Sequence, residues 1–158
     1  MKKEKLQEYT LRVTQSNRTQ LVVVIYEIIL TYLEDARECH KAADWDGFSE
    51  AIGKASGFVK ELVGALDFKY EISMQLYNLY LYSNGCLNAA RRTKNAEELK
   101  GIEIVINGLK KSFETIAETD KSEAVMKNTQ AVYEGFTYGK DSKNQVFPNE
   151  EGSRGFTV

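Results

Sequence analysis

The side chains that could carry out chemistry are few in this sequence. His40 is its only histidine, and Cys39 and Cys86 are its only cysteines. A nucleophilic cysteine or serine needs a base beside it, and a di-iron helical bundle needs a Glu-x-x-His motif. The residue three positions before His40 is Arg37, and no P-loop, Gly-x-Gly-x-x-Gly or Cys-x-x-Cys motif occurs. We therefore expect a protein that is not an enzyme and needs no metal or cofactor.

The residue types that stand out favour the binding of apolar segments instead. Tyrosines are concentrated in the run LYNLYLY from Leu76 to Tyr82. Tyrosine suits the margin of a groove that is apolar on one side and wet on the other, although tyrosines can also surround an ordinary core. Further along, Gly101, Val105, Gly108 and Ser112 form a line of small side chains. That line predicts a shallow channel, filled either by a neighbouring helix or by an incoming one.

These residues must be positioned by a core helix that begins after Asn17. The stretch LVVVIYEIILTYLEDA, residues 21–36, is apolar over most of its circumference, which is typical of a helix buried among others. It is shorter than the roughly 20 apolar residues of a membrane span. Asn17 and Gln20 have the spacing of a capping box. We predict a helix from Asn17 to about Ala43 with one apolar side left over.

Three more helices follow, over residues 46–66, 70–93 and 95–117, with Asn95 and Glu98 as a second capping box. Because the turns are short, sequential helices must be antiparallel neighbours. We predict an all-α, antiparallel up-down-up-down four-helix bundle over residues 17–120. The expected core positions are Phe48, Ile52, Ala55, Val59, Leu62 and Leu66, then Ile72, Leu76, Leu79 and Leu87 with Ser83, Cys86 and Ala90 in the same stripe, then Leu99, Ile102, Ile106, Leu109, Phe113 and Ile116.

Some apolar and small residues lie off these seams. Ile104 is predicted to be exposed. Gly53, Gly57 and Gly64 each cost about 1 kcal/mol in a helix interior relative to alanine. Either the close approach of another backbone or tolerance of imperfection would explain them.

The two ends of the chain are predicted to lie outside the bundle. In residues 1–16, Tyr9, Leu11 and Val13 alternate with polar residues, which predicts an extended segment with one apolar side, or else a frayed terminus. Residues 121–158 should contain a short fifth helix over about 122–133 and a tail. The tail is rich in Gly, Asn and Ser but keeps aromatic residues, unlike most disordered segments. We expect it to dock in an apolar cleft of this chain or another.

Composition excludes several classes of partner and location. The 21 basic and 23 acidic residues leave a net charge of −2, whereas nucleic-acid binding needs a basic surplus or patch. The lysines at the start are not followed by the apolar segment of a secretory signal. Two cysteines far apart in sequence favour free thiols in a reducing compartment. We expect a cytoplasmic protein with no nucleic-acid partner and no membrane span.

Three motifs, in order, connect the sequence to a known family. The first is VTQSNRTQL, residues 13–21, followed by Ile-Tyr-Glu at 25–27; the second is LYNLYLY, residues 76–82; the third is Ala-Ala at 89–90, a break, and residues 99–113. Together they resemble the FliS family of flagellin export chaperones. The run YEGFTYG, residues 133–139, is similar to the tails of some members. Asn17, Glu27, Ile28 and Phe113 stand where the family usually has proline, aspartate, glycine and tryptophan.

The resemblance implies a chaperone that binds the disordered C-terminal segment of flagellin, prevents premature polymerisation and aids delivery to the flagellar type III export apparatus. An export-apparatus component or a regulator is a further possible partner. The expected groove residues are Leu76, Tyr77, Tyr80, Ile102, Val105 and Leu109. The expected N-terminal cap over that groove is Tyr9, Leu11 and Val13. The competing hypothesis is a helical bundle that regulates a folded partner or forms a homodimer through its spare apolar surface.

Overall fold

A computed structural model describes residues 1–126, which form five α-helices. Helix α1 spans Lys3–Gln15, α2 Arg18–Lys41, α3 Trp45–Gly64, α4 Glu71–Thr93 and α5 Leu99–Thr119, and a 3-10 turn over Ala96–Glu98 precedes α5. These described residues contain no strand. Helices α2 and α4 each pack against both α3 and α5, so they occupy one diagonal of a four-helix bundle. The predicted all-α bundle is confirmed.

Local signals at the start of α2 and α3 set where these helices begin. The Asn17 side chain accepts a hydrogen bond from the Gln20 amide at 2.9 Å, and the Gln20 side chain accepts one from the Asn17 amide at 3.0 Å. The predicted capping box is therefore confirmed. Asp44 caps α3 by accepting from the Gly47 amide at 3.0 Å. A Cβ at position 47 would collide with the Asp44 carboxylate, so a larger residue there would displace the capping side chain.

Helix α3 follows its predicted seam. Phe48, Ile52, Ala55, Val59 and Leu62 are buried, and Leu66 is partly buried against the same core. The glycines of α3 lie off this seam. A Cβ built at Gly53, Gly57 or Gly64 meets no atom within 4 Å, so no other backbone of the described chain approaches them.

Helix α4 is rotated relative to the predicted phase. Ile72 and Leu79, expected in the core, are 56% and 37% exposed. Leu87, Ser83 and Ala90 are buried as expected, but Ser73 and Tyr80, which were not expected in the core, are buried as well. The reason is a hydrogen bond across the diagonal of the bundle, 2.6 Å between the hydroxyls of Tyr26 and Tyr80.

The two serines in this buried line carry their own hydrogen bonds. The Ser73 hydroxyl donates to the carbonyl oxygen of Asp67 at 2.6 Å, and the Ser83 hydroxyl donates to that of Leu79 at 2.8 Å. Their burial therefore leaves no unsatisfied polar group. Ser83 was expected in the core stripe, whereas the polar groups of Ser73 and Tyr80 are the reason that hydrophobic periodicity did not place these two residues in the core.

Helix α5 matches its predicted pattern over its first half. Leu99, Ile102 and Ile106 are fully buried, while Ile116 is 51% exposed and Ile104 is exposed as predicted. Asn95 caps the preceding turn by accepting from the Glu97 amide at 3.0 Å. The second capping box is wrong, because the Asn95 amide donates to the carbonyl oxygen of Ala90 and not to Glu98.

The N-terminal segment is helical, so the predicted extended conformation is wrong. Tyr9 and Val13 are four residues apart and share the inner face of α1, where Tyr9 is buried and Val13 packs against the core. Leu11 points outward and is 56% exposed. At the other end, residues 120–126 are not helical. The remainder of the predicted fifth helix and the tail lie outside the described residues.

We expect Tyr80→Phe to lower the free energy of unfolding by about 1–3 kcal/mol, because it leaves the buried Tyr26 hydroxyl without a partner. The double variant Tyr26→Phe/Tyr80→Phe should lose less than the two single losses combined, since no orphaned hydroxyl remains. Urea unfolding of the four proteins measures this coupling. Strictly additive losses would show that the two hydroxyls do not interact.

Candidate binding surfaces

The reactive side chains singled out in the sequence, His40, Cys39 and Cys86, are not arranged for catalysis. The His40 ring contacts Trp45 and Phe48 at centroid distances of 5.5 Å, and its Nε2 lies 3.1 Å from the carbonyl oxygen of Lys94. Cys39 and Cys86 are free thiols. Within residues 1–126, no group of three His, Cys, Asp or Glu side chains is placed to hold a metal ion. The candidate sites in these residues are therefore surfaces that bind another chain.

Two of the predicted groove residues belong to the core of the bundle. Tyr80 is 2% exposed and Ile102 is fully buried. Burial raises the pKa of both Tyr26 and Tyr80, so both hydroxyls stay protonated. Their hydrogen bond therefore has a structural role only. In this conformation neither Tyr80 nor Ile102 offers surface to a partner.

The other four predicted groove residues are half-buried and do not share one surface. Leu76, Leu109 and Val105 are partly covered, and the first two pack against the core. Tyr77 lies on the α3 side of α4, where its ring meets Phe68 edge to face at 5.8 Å. Val105 lies in the line of small residues on the α4 side of α5.

Exposed apolar side chains line the boundary between α4 and α5: Ile72, Leu79 and Tyr82 on α4, and Ile116 on α5. With the half-buried Val105 and the exposed Gly108 they form the surface that we call the α4/α5 groove. The α4 members are seven and three positions apart, so they share one helix face. That face points towards α5, because a Cβ on Gly101 would come within 2.6 Å of the Tyr82 hydroxyl and 3.0 Å of the Cys86 sulfur.

The channel of small residues on α5 is filled at one end and open at the other. At Gly101 the neighbouring helix fills it with Tyr82 and Cys86. At Gly108 a Cβ would meet nothing within 4 Å. The first alternative, filling by a neighbouring helix, therefore holds at Gly101, and filling by an incoming helix stays a prediction for the part around Gly108. Only the part around Gly108 has room for an additional chain.

The absence of charge between the first and last turns of α4 is the signal that sequence reasoning missed. Residues 72–90 contain no Asp, Glu, Lys or Arg, although Met74, Leu81 and Tyr82 on this helix are exposed. A solvated helix face normally carries charges, whereas the centres of protein interfaces are depleted in them and enriched in tyrosine and methionine. Both exposed flanks of α4 therefore have the composition of binding surfaces.

The predicted cap residues lie on the far side of the bundle from this groove. Helix α1 packs against α2, where the Tyr9 hydroxyl lies 2.9 Å from the Thr31 hydroxyl. Arg12 forms a two-point ion pair with Glu27, and this hydrogen bonding raises the pKa of Arg12. Because α2 and α4 are diagonal, α1 covers the outer side of α2 and leaves the α4/α5 groove open.

The junction of α1 and α2 is tied to the end of α5. The Asn17 side chain donates to the carbonyl oxygens of Asp120 and Ser122 at 3.2 and 3.4 Å, and the Thr19 hydroxyl donates to the Asp120 carboxylate at 2.5 Å. The Val125 amide donates to the carbonyl oxygen of Ser16 at 3.0 Å. Hydrogen bonds from Ser122 and Thr19 lower the pKa of Asp120. An open cleft of about 690 Å³ lies beside this junction, lined by Arg12, Gln15, Val23, Glu114 and their neighbours.

The fold and its surfaces define a class: a helical bundle that presents an uncharged apolar groove, with no catalytic constellation in the described residues. A family model described as "Flagellar protein FliS" matches residues 2–120. The chain therefore belongs to the FliS family, a family of flagellar export chaperones and not of enzymes. Comparison with curated proteins finds no match. None of the helices in residues 1–126 is long and apolar enough to cross a membrane.

We expect Tyr9→Phe to loosen α1 selectively, because it removes the buried hydrogen bond to Thr31. A loss of about 1.4 kcal/mol corresponds to tenfold faster local opening. Hydrogen–deuterium exchange should therefore speed up about tenfold in residues 3–15 and remain unchanged in α3 and α4.

Leu11→Ala is the matched control, since Leu11 is exposed on the same helix. It should leave the exchange of α1 within about twofold of wild type. Equal acceleration in both variants would mean that α1 is not held by Tyr9.

Proposed function

We propose that this protein binds the disordered C-terminal segment of flagellin in the cytoplasm, prevents its premature polymerisation and aids its delivery to the flagellar type III export apparatus. The observation that carries this proposal is the open, uncharged α4/α5 groove in a member of the FliS family. Binding of the client requires no nucleotide or metal, because its free energy comes from burial of apolar surface.

The groove suits an amphipathic client helix. Ile72 to Tyr82 spans ten residues, or roughly 15 Å along α4, which equals about three turns of a helix. A client would lay its apolar side chains between the two walls, on one helix face like that of Ile72, Leu79 and Tyr82, which stand at i, i+7 and i+10. The open space at Gly108 allows the client to approach the α5 backbone closely.

A second apolar site becomes available if α1 leaves. Val24 and Thr31 are buried on α2, and α1 is the helix that packs on the outer side of α2. A client helix with apolar side chains at the positions of Tyr9 and Val13 would make the same contacts with α2 as α1 does. We therefore assign Tyr9 and Val13 as the cap, over α2, and Leu11 as the exposed outer residue of the same helix.

Calorimetric titration with a peptide covering the C-terminal segment of the host's flagellin tests the proposal. Wild type should bind with a markedly negative heat-capacity change. Gly108→Glu should weaken binding at least tenfold, because it places a charge in the apolar groove. The matched control Gly57→Glu makes the same change at another open glycine, on α3, and should bind as wild type does. Both substitutions favour helix over glycine, so both proteins should fold.

The outcomes separate the function from the site. If neither wild type nor a variant lacking residues 1–15 binds the peptide, the proposed client is wrong. If Gly108→Glu binds as tightly as wild type, the α4/α5 groove is not the site. If in addition Tyr9→Phe increases the affinity, the client occupies the α2 surface beneath α1.

A further inference from the structure

One acidic side chain lies within the apolar surface of α2 that α1 covers. Val24, Glu27 and Thr31 follow one another at spacings of three and four residues, which is a single line on the helix. Val24 and Thr31 are buried, and the Glu27 side chain is 21% exposed. From Thr19 to Leu33, Glu27 is the only charged residue of α2. The surface beneath α1 is therefore apolar except for one carboxylate.

Helix α1 supplies the partner of this carboxylate. Arg12 Nη1 donates to Glu27 Oε2, and Arg12 Nη2 donates to Glu27 Oε1 at 3.1 Å. The Arg12 guanidinium lies 5.9 Å from the centroid of the Tyr9 ring, and its Nη1 lies 4.0 Å from the Glu8 carboxylate. Two parallel hydrogen bonds between a guanidinium and a carboxylate make a strong ion pair with a defined geometry. Helix α1 thus covers the apolar surface and neutralises Glu27 at the same time.

A client that displaces α1 also removes the counter-charge of Glu27. If the client places only apolar side chains there, the carboxylate loses both its ion pair and its water. Removing one partner of a covered ion pair is costly, because the remaining charge is left uncompensated. A client with a basic side chain at this point avoids the cost. An unpaired charge that opposes the wrong partner is a common source of binding specificity.

We infer that Glu27 is a specificity-determining residue of the site beneath α1, where it selects a client helix that carries a basic residue. This inference rests on the proposed function, because it concerns the flagellin segment that replaces α1. The contacts of α1 define the required pattern: Tyr9 is the apolar anchor, Arg12 follows three residues later, and Val13 packs beside it. The client therefore needs a basic residue within one helical turn of a large apolar residue. Arginine suits the position better than lysine, since only a guanidinium pairs with a carboxylate at two points.

The competing explanation is that Glu27 serves only to hold α1 in place. The two explanations differ in what each partner of the ion pair does after α1 has left. Arg12 belongs to α1 alone, so a substitution there weakens α1 and leaves the client's own ion pair intact. Glu27 pairs with α1 before displacement and with the client afterwards, so a substitution there weakens both. The difference between the two substitutions therefore isolates the contact with the client.

Calorimetric titration of full-length Arg12→Gln and Glu27→Gln with the flagellin C-terminal peptide tests the inference. Hydrogen–deuterium exchange of residues 3–15 measures how far each substitution weakens α1, and each affinity is divided by that factor. After this correction Arg12→Gln should bind the peptide about tenfold more tightly than Glu27→Gln. A hydrogen bond to a charged group is worth roughly ten- to hundredfold in a binding constant, and the lower value applies because the pair is partly exposed.

Peptide variants identify the partner of Glu27 without any change to the bundle. Each basic residue of the peptide is replaced by Gln in turn. One replacement should weaken binding to wild type about tenfold and weaken binding to Glu27→Gln less than about twofold, which is the coupling expected of two residues in contact. Glu34→Gln is the matched control, because Glu34 lies seven residues further along α2 and its side chain is 71% exposed. It should bind every peptide as wild type does.

The outcomes distinguish this inference from the proposed function. Equal corrected affinities of Arg12→Gln and Glu27→Gln, with no peptide residue coupled to Glu27, would show that Glu27 only holds α1; the inference would be wrong and the function would stand. Uncorrected affinities that are the same in wild type and both variants would show that the client leaves α1 in place, which also overturns the inference. A peptide that binds none of these proteins would contradict the proposed function itself, and the inference with it. Circular dichroism checks that the variants keep the helical content of wild type.

Discussion

The hydrogen bond between Tyr26 and Tyr80 determines how α4 is presented, and the exposed surfaces depend on that presentation. It joins two fully enclosed side chains across the diagonal of the bundle at 2.6 Å. With Tyr80 turned inward, Ile72, Leu79 and Tyr82 must face α5, while Met74, Tyr77 and Leu81 must flank α3. A rotation of α4 by one position would bury a different set and remove both surfaces. This one hydrogen bond in the core thus determines which side chains of α4 are exposed on the surface.

A second constraint is the apolar circumference of α2. A helix in a four-helix bundle normally has one side in water, yet Val24 and Thr31 on the outer side of α2 are buried. Helix α1 resolves this conflict by packing there, with Tyr9 bonded to Thr31 and Arg12 paired with Glu27. Few contacts hold α1, so it is the part of the described chain that a competing helix could most readily replace.

Helix α4 combines a structural role with an unusual surface. It closes the bundle through Ser73, Tyr80, Ser83 and Leu87, and yet residues 72–90 carry no charge on any side. Exposed apolar surface favours aggregation, so a chain that keeps it must use it for binding. The membership in the FliS family gives this surface a biological context, since an export chaperone must hold an apolar client without catalysing any reaction.

Local sequence determined the elements of this protein. The capping box at Asn17, the seam of α3 and the short turns predicted the bundle correctly, because each depends on residues within a few positions of one another. Tertiary structure decided two other features. The rotation of α4 depends on Tyr26, fifty-four positions from Tyr80, and the polar groups of Tyr80 and Ser73 kept hydrophobic periodicity from assigning these two residues to the core. The helical state of α1 depends on the outer side of α2, which stabilises a segment whose own alternating pattern indicated an extended strand. Both outcomes depend on contacts between residues far apart in sequence, which the periodicity of a single segment does not predict.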